Sequence, residues 1–261
     1  MITRIVTWNL NHHRQSAIQR KATWNFLVGL KADFALLQEC VPSEWPANRV
    51  VFKDGGIGGR RSWGSAVVSF NHDLEELSTI RLKSTGRLAS LCNTWPGSVA
   101  IAYAPSLALS LVSLYGLIDN GYAITTVHRQ LSDLTPLFDS TCYRSRIVVG
   151  GDFNISTQFR SPDGERHRNA FERLQTLGMV DAIALNRPPR EPLADCPCSD
   201  KPCSHIHTQR HNVSKVPWQN DYMYVGKKLA PNVVACYPID GGSPGSWQYS
   251  DHCPIMLEVE F

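Results

Sequence analysis

The sequence has no long apolar run. None of its hydrophobic stretches approaches the roughly 20 residues that a membrane-spanning helix needs, which excludes a helical membrane protein as the expected class. It also has little excess charge: 26 Lys and Arg stand against 23 Asp and Glu, a formal net charge of +3. Polyanion-binding domains commonly carry a pI above about 9 or a basic stripe. Here the basic residues are dispersed, with local concentrations at Arg60-Arg61, Arg166-His167-Arg168 and Lys227-Lys228. Composition therefore permits a nucleic-acid partner without arguing for one. No secretory leader is expected either, because Met1-Ile2-Thr3-Arg4 runs straight into Ile5-Val6-Thr7-Trp8, too short an apolar stretch for a signal. Without an export signal the eight cysteines are expected as reduced thiols or metal ligands, and the expected location is the cytoplasm.

What is present suffices for a sizeable core. Hydrophobic residues make up 43% and charged residues 19% of the 261, ordinary for a soluble globule, and the length suits one large α/β domain or two small ones. Ile2 to Trp8 alternates apolar and polar residues and reads as a strand. Ser16 to Leu30 carries Ala17, Ile18, Ala22, Phe26, Leu27 and Leu30 near helical spacing, and Phe34 to Gln38 reads as a short buried strand. This β-α-β start puts Asn9, Asn11 and Glu39 at two strand ends, where α/β folds place ligands. Gly55 to Gly59 predicts a loop, Ser65 to Phe70 a strand, and Val99 to Ala104 with Ser110 to Tyr115 a hairpin across Pro105-Ser106. Further helices are expected over Val127 to Phe138 and Arg168 to Leu177, the latter closed by Gly178, with strands over Ile147 to Gly150, Tyr222 to Val225 and Ile255 to Val259. The pattern is strand-dense α/β, with helices outside two sheets.

Acids and amides gather where these runs end. Thr7-Trp8-Asn9-Leu10-Asn11 closes the first, Ala35-Leu36-Leu37-Gln38-Glu39 another, and Val148-Val149-Gly150-Gly151-Asp152-Phe153-Asn154 a third; Tyr249-Ser250-Asp251-His252-Cys253-Pro254 precedes the last. Groups of this kind meeting at one sheet edge can hold a divalent metal and a water against a phosphate, so an enzyme is the expected class. With Asn220-Asp221-Tyr222 they form the ordered set W-N-x-N, L-Q-E, G-D-F-N, N-D-Y and S-D-H-x-P. That set resembles the endonuclease/exonuclease/phosphatase superfamily, which includes pancreatic-type deoxyribonucleases, apurinic endonucleases, deadenylases, sphingomyelinases and inositol-polyphosphate phosphatases. Each motif is weak alone, but all five in order between Trp8 and Pro254 are specific. The resemblance spans essentially the whole chain. It implies a four-layer α-β-β-α sandwich of two packed mixed sheets, and a single catalytic domain over residues 1–261 with a Cys- and Pro-rich insertion at about 187–217.

The resemblance also implies roles. Glu39 is the leading metal ligand, joined by Asp251 and by Asn11, which stands where some relatives carry Asp and would be a weaker, neutral ligand. Magnesium or manganese is the implied cofactor, since one or two carboxylates plus a substrate phosphate suffice for such hard cations. Asn9 would hydrogen-bond to the phosphate or to Asp152. Asp152 would orient and deprotonate the attacking water, Asn154 would fix Asp152, and Gly150-Gly151 would leave room for a close phosphate. His252, steered by Asp221, would set a cation or hydrogen-bond donor on the scissile phosphate. Of two tyrosines eligible to approach the phosphate, Tyr115 at a strand end is preferred over Tyr103 inside the hairpin.

Two features lie outside this set. Cys196, Cys198, Cys203, His205 and His207 crowd soft ligands into the insertion, with His211 beyond; they read either as a structural zinc site or, given a spacing unlike the common C-x2-C, as a loop stiffened by proline. Arg60-Arg61-Ser62-Trp63 offers charge beside an aromatic, suited to stacking and phosphate contact with single strands, or else a surface loop. The leading function is a metal-dependent nuclease on DNA or RNA. The same fold also serves phosphatases and lipid or inositol-phosphate phosphodiesterases, and a catalytically silent binding module is a third reading. Substrate and oligomeric state are not written in the sequence.

Overall fold

The computed structural model describes residues 1–42, 49–55, 63–82, 85–91, 94–185, 193–198, 203–211, 213, 216–241 and 245–261. The strands are β1 (Ile2–Asn9), β2 (Phe34–Cys40), β3 (Val50–Asp54), β4 (Gly64–Ser69), β5 (Glu75–Glu76), β6 (Thr79–Arg81), β7 (Leu88–Ser90), β8 (Val99–Ala104), β9 (Leu109–Tyr115), β10 (Ile147–Asp152), β11 (Met179–Asp181), β12 (Gln209–Arg210), β13 (Pro217–Trp218), β14 (Asp221–Gly226), β15 (Val233–Pro238) and β16 (Ile255–Glu260). The α-helices among the described residues are α1 (Ala17–Gly29), α2 (Ile124–Asp139) and α3 (Asp163–Thr176). None of them is long and apolar enough to cross a membrane.

Two six-stranded mixed sheets form the centre, ordered β15-β16-β1-β2-β4-β3 and β11-β14-β10-β9-β8-β5. Successive side chains of a strand point to opposite faces, and here both faces are covered. Ile5, Leu36, Val148, Met223 and Leu257 pack between the sheets. Their chain neighbours Val6, Leu37 and Met256 pack outward with Trp24 and Leu27 of α1, and Val149 packs outward with Leu131 and Leu134 of α2 and Leu174 of α3. These three apolar seams separate four layers, the expected α-β-β-α sandwich. Burial on both faces is why the central strands read as unbroken apolar runs instead of clean alternations.

Helix starts follow local chemistry. Ser16 caps α1 through a reciprocal capping box with Gln19. Helix α3 begins at Asp163, earlier than the apolar periodicity suggests. Its first turn carries Asp163 and Glu165, which are favourable at the positive end of the helix dipole. The strands β3 and β15, which the pattern did not announce, lie at the two edges of the first sheet and are only partly buried.

The paired glycines of β10 set the spacing of the layers. A Cβ on Gly150 would stand 2.9 Å from Leu36 Cδ1, 3.0 Å from Met223 Sδ and 3.0 Å from Thr7 Cβ, so its bare backbone lets the two sheets close. One on Gly151 would fall 1.8 Å from the Leu114 carbonyl oxygen of β9. Both positions therefore serve sheet packing, not a phosphate. A polar bridge crosses the same seam: Gln38 Nε2 donates to Ser113 Oγ at 2.9 Å, and Ser113 Oγ donates to the Leu37 carbonyl at 2.8 Å. Gly150→Ala should cost about 1–3 kcal/mol, the range for overpacking against side chains that can shift. Gly151→Ala, which meets backbone, should cost more. Urea unfolding midpoints rank the two, and a Gly151→Ala protein as stable as the parent would refute this account of the seam.

Candidate active site

Parallel pairing sets Asn9 at the end of β1 beside Gln38 on β2, and in the other sheet Asp152 at the end of β10 pairs with Asp221 on β14 and Tyr115 on β9. Because the sheets close at Gly150, these ends face one another. The β2–β4 register slips between Leu37 and Cys40, and Glu39 within that irregularity has φ 47°. A bulge of this kind re-aims a side chain; the left-handed backbone costs a residue such as Glu on the order of 1–3 kcal/mol. Asn11 and Asn154, each just past a strand end, share the conformation at φ 51°, which Asn tolerates better. Each turns its chain across the cavity mouth.

Asn9 joins the two sheets chemically. Its Nδ2 donates to Asp152 Oδ2 at 2.9 Å and to Glu39 Oε1 at 3.2 Å, while its Oδ1 accepts from the Asn11 amide at 3.0 Å. Asp152 Oδ1 accepts from the Asn154 amide at 3.0 Å, and the Asn154 side chain donates to the Gly116 carbonyl at 3.0 Å. Asn11 Nδ2 donates to Asp251 Oδ1 at 2.6 Å. His252 Nδ1 lies 2.8 Å from Asp221 Oδ2, and its Nε2 lies 3.8 Å from Asp152 Oδ2. The motif that carries His252 is pinned by Ser250 Oγ donating to the Asn9 carbonyl at 2.7 Å and Trp8 Nε1 donating to the His252 carbonyl at 2.8 Å. The last of the five motifs is thus tied to the first. Asn11, Glu39, Asp152, Asn154, Asp251 and His252 line a cavity of about 490 Å³ together with His13, Arg14, Arg20, Trp63 and Tyr115.

Burial and charge divide the titrating roles. Burial raises the Asp152 carboxyl, with the Asp221 and Glu39 charges adding to it and His252 opposing, to about 7. Burial alone would discharge His252, but Asp221 and Asp152 outweigh it and raise the imidazole to about 10. Burial likewise pushes Glu39 up, yet His13, Asn9 and His252 together hold its carboxyl below the usual range. The pocket therefore gathers a carboxyl raised toward neutrality, an imidazole whose charged form is favoured and an acid whose ionised form is favoured.

The acceptors here suit a hard cation. Asn11 Oδ1 is buried and accepts no hydrogen bond among the described residues. Glu39 Oε2, buried likewise, is engaged by His13 Nδ1 at 2.5 Å. Buried polar atoms are seldom left unsatisfied. Oxygens from Glu39, Asn11 and Asp251 around one cavity are the donor type that magnesium or manganese takes. Asp152, Asp221 and His252 also bring ligand atoms within 4.8 Å of one another, with His252 Nδ1 paired to Asp221 Oδ2 at 2.8 Å.

Of the remaining expected residues, Tyr115 lines the cavity and is buried, whereas Tyr103 packs edge-on to Tyr143 away from it. Trp63 is also a wall residue: it is 7% exposed and packs edge-on to Tyr115 at 5.3 Å, so it is no open stacking platform. Arg60 and Arg61 lie outside the described residues. Cys196, Cys198, Cys203 and His205 converge elsewhere. His207 does not join them; its Nε2 contacts the Gln209 carbonyl and its ring meets Trp247. The cavity's basic residues, His13, Arg14 and Arg20, were not singled out by sequence reasoning. The signal was present in His12-His13-Arg14, directly after the first motif.

The sequence profile of the Endonuclease/Exonuclease/phosphatase family matches residues 6–252. The chain belongs to this family. No curated protein sequence matches it significantly. Among solved structures it is similar to an AP endonuclease from Archaeoglobus fulgidus (TM-score 0.66, 18% identity, covering 99% of this chain and 100% of that one). It is also similar to an AP endonuclease from Leishmania major (0.68, 18%, 100% and 88%) and to a 3′ phosphatase from Neisseria in complex with a product DNA hairpin (0.66, 15%, 99% and 100%). At these identities the likeness establishes the fold, which is the fold of family members that hydrolyse phosphoesters.

The electrostatic assignment is directly measurable. In protein stripped of metal, the His252 imidazole should titrate near 10 by NMR, and Asp221→Asn should lower it by removing a charge that favours the imidazolium. A parent midpoint near the ordinary value of about 6.5 would contradict the pairing.

Proposed function

We propose that this chain is a divalent-metal-dependent phosphodiester hydrolase acting on nucleic acid, with DNA the leading substrate. The reading takes residues 1–261 as one catalytic domain, because the site draws on strands from both ends of the chain. One observation carries it: the Asn9 amide holds Glu39 and Asp152 side by side, next to the unsatisfied Asn11 Oδ1 and opposite the His252–Asp221 pair.

The chain's own groups can then be assigned. Asp152, fixed by Asn9 and Asn154 and raised toward neutrality, takes a proton from a water, whose oxygen bonds to phosphorus as the bond to the leaving oxygen breaks. His252, kept charged by Asp221, donates from Nε2 to a phosphoryl oxygen and stabilises the charge that grows there. Arg14 and Arg20 line the same cavity and draw an anionic substrate in. A magnesium or manganese ion held by Glu39, Asn11 and Asp251 would supply Lewis-acid neutralisation of the phosphate.

A second cavity of about 380 Å³ favours nucleic acid over a bare phosphate ester. It shares Ile118, Asn154 and Gln209 with the first, and Phe159 and Trp218 stack in its wall at 4.7 Å. An apolar aromatic chamber beside the reacting phosphate suits the sugar or base of a nucleotide. The product DNA bound to the Neisseria 3′ phosphatase supports DNA as the first substrate class to examine. A phosphomonoesterase would use the same acids, so the substrate screen spans duplex, single-stranded and abasic DNA, 3′-phosphorylated DNA, RNA and inositol phosphates.

Hydrolysis of at least one DNA substrate should require magnesium or manganese and stop in excess chelator; full activity in chelator would sink the metal assignment. Glu39→Gln should keep the fold while losing metal affinity and rate together. Asp152→Asn and His252→Ala should each slow turnover by roughly 10²–10⁴, the range for a general base or a charge-stabilising donor. Normal turnover by His252→Ala would refute its role.

A further inference from the structure

We propose that Cys196, Cys198, Cys203 and His205 hold one structural zinc ion that ties the chain around His205 to the hydrogen bonds seating Asp221 and the Asp251-His252 motif. Each residue offers one ligand atom, and the four atoms lie within 4.8 Å of one another. The three cysteines are buried and form a cluster of their own with Leu193. Zinc bonds of about 2.3 Å to sulfur and about 2.0–2.1 Å to nitrogen set tetrahedral edges of about 3.8 Å between sulfurs and about 3.6 Å between sulfur and nitrogen. Cys196 Sγ stands 3.4 Å from Cys198 Sγ and 3.6 Å from His205 Nδ1, close to those edges.

The surroundings match a thiolate site. His205 Nε2 is 2.7 Å from Thr157 Oγ1; with its proton on that side, Nδ1 keeps the lone pair that faces the sulfurs. Gln158 Nε2 donates to Cys196 Sγ at 3.3 Å, a contact that favours a thiolate there. Three sulfurs and one imidazole close the coordination sphere and leave no open position, which makes the site structural and not hydrolytic. Its soft donors also set it apart from the oxygen-lined cavity.

Its effect reaches the catalytic wall through short links. Gln158 accepts from the Gln219 amide at 2.6 Å, and the Gln219 side chain accepts from the Ile206 amide at 2.9 Å. Two residues on, Thr208 Oγ1 accepts from the Asp221 amide at 3.1 Å, and the Thr208 carbonyl accepts from the Cys253 amide at 2.9 Å. The Arg210 amide then donates to the Asp251 carbonyl at 2.7 Å. One ion would therefore fix the chain segment that seats Asp221 and the Asp251-His252 motif.

Protein purified without chelator should contain about one equivalent of zinc by elemental analysis. Cys198→Ser and Cys203→Ser should abolish it, while His207→Ala and Glu39→Gln retain it, which separates this site from the catalytic one. Zinc stripped from the parent by a strong chelator should expose three fast-reacting thiols and lower the thermal midpoint, and cobalt in its place should show the absorption of a tetrahedral thiolate complex. Should the cysteine variants fail to fold, the parent decides. Zinc-free parent protein that does not take up added zinc, zinc lost with Glu39→Gln, or a Cys196–Cys198 disulfide in native protein would each overturn the assignment.

Discussion

Glu39 and Asp152 come from different sheets and would repel one another if both were ionised and unsupported. The Asn9 amide donates to both and holds them in place. That double hydrogen bond is available only because the sheets approach closely at Gly150, where a side chain would push against Leu36, Met223 and Thr7. Sheet spacing, strand ends and acid placement are thus one constraint. The remaining groups are arranged around it: Asn11 reaches Asp251, Asn154 fixes the far oxygen of Asp152, and Asp221 charges His252.

The cost of this arrangement is visible in the backbone and in the polar atoms. Glu39, Asn11 and Asn154 turn left-handed at the cavity rim, and Asn11 Oδ1 is left without a hydrogen bond among the described residues. Strain and an unsatisfied acceptor gathered at one rim mark a place where stability has been exchanged for preorganisation. The electrostatics follow the same logic. Two carboxylates hold His252 charged despite burial, and the resulting cation in turn tempers the burial of Asp152.

Much of this was legible in the sequence, for physical reasons. Strands buried on both faces leave apolar runs, and three of these runs end on the acid or amide that the fold brings to the sheet edge. Asn9, Glu39 and Asp152 could therefore be placed at strand ends, and Asp221 and His252 just ahead of the strands that follow them. Edge strands β3 and β15 escaped notice because partial burial leaves weaker patterns. The use of Gly150-Gly151 for sheet closure was hidden, since a glycine looks the same whether it admits a phosphate or a neighbouring strand. The chamber walled by the stacked Phe159 and Trp218 was hidden too, because the two lie on a loop and on the short strand β13 and meet only in the folded chain. The separation of His207 from Cys196, Cys198, Cys203 and His205 likewise depended on the backbone path of the insertion.

In the function proposed for this chain, the ends of both sheets form one site for a divalent cation beside Asp152 and His252. Paramagnetic relaxation by manganese reads out such a site. On titrating manganese into protein with zinc already present, the His252 and His13 imidazole signals should broaden first and together, while those of His205 and His128 remain sharp. Glu39→Gln should abolish the selective broadening without displacing the His252 signal of the metal-free protein by more than the loss of a nearby charge requires. Broadening that begins elsewhere, or that is unchanged in Glu39→Gln, would contradict the account.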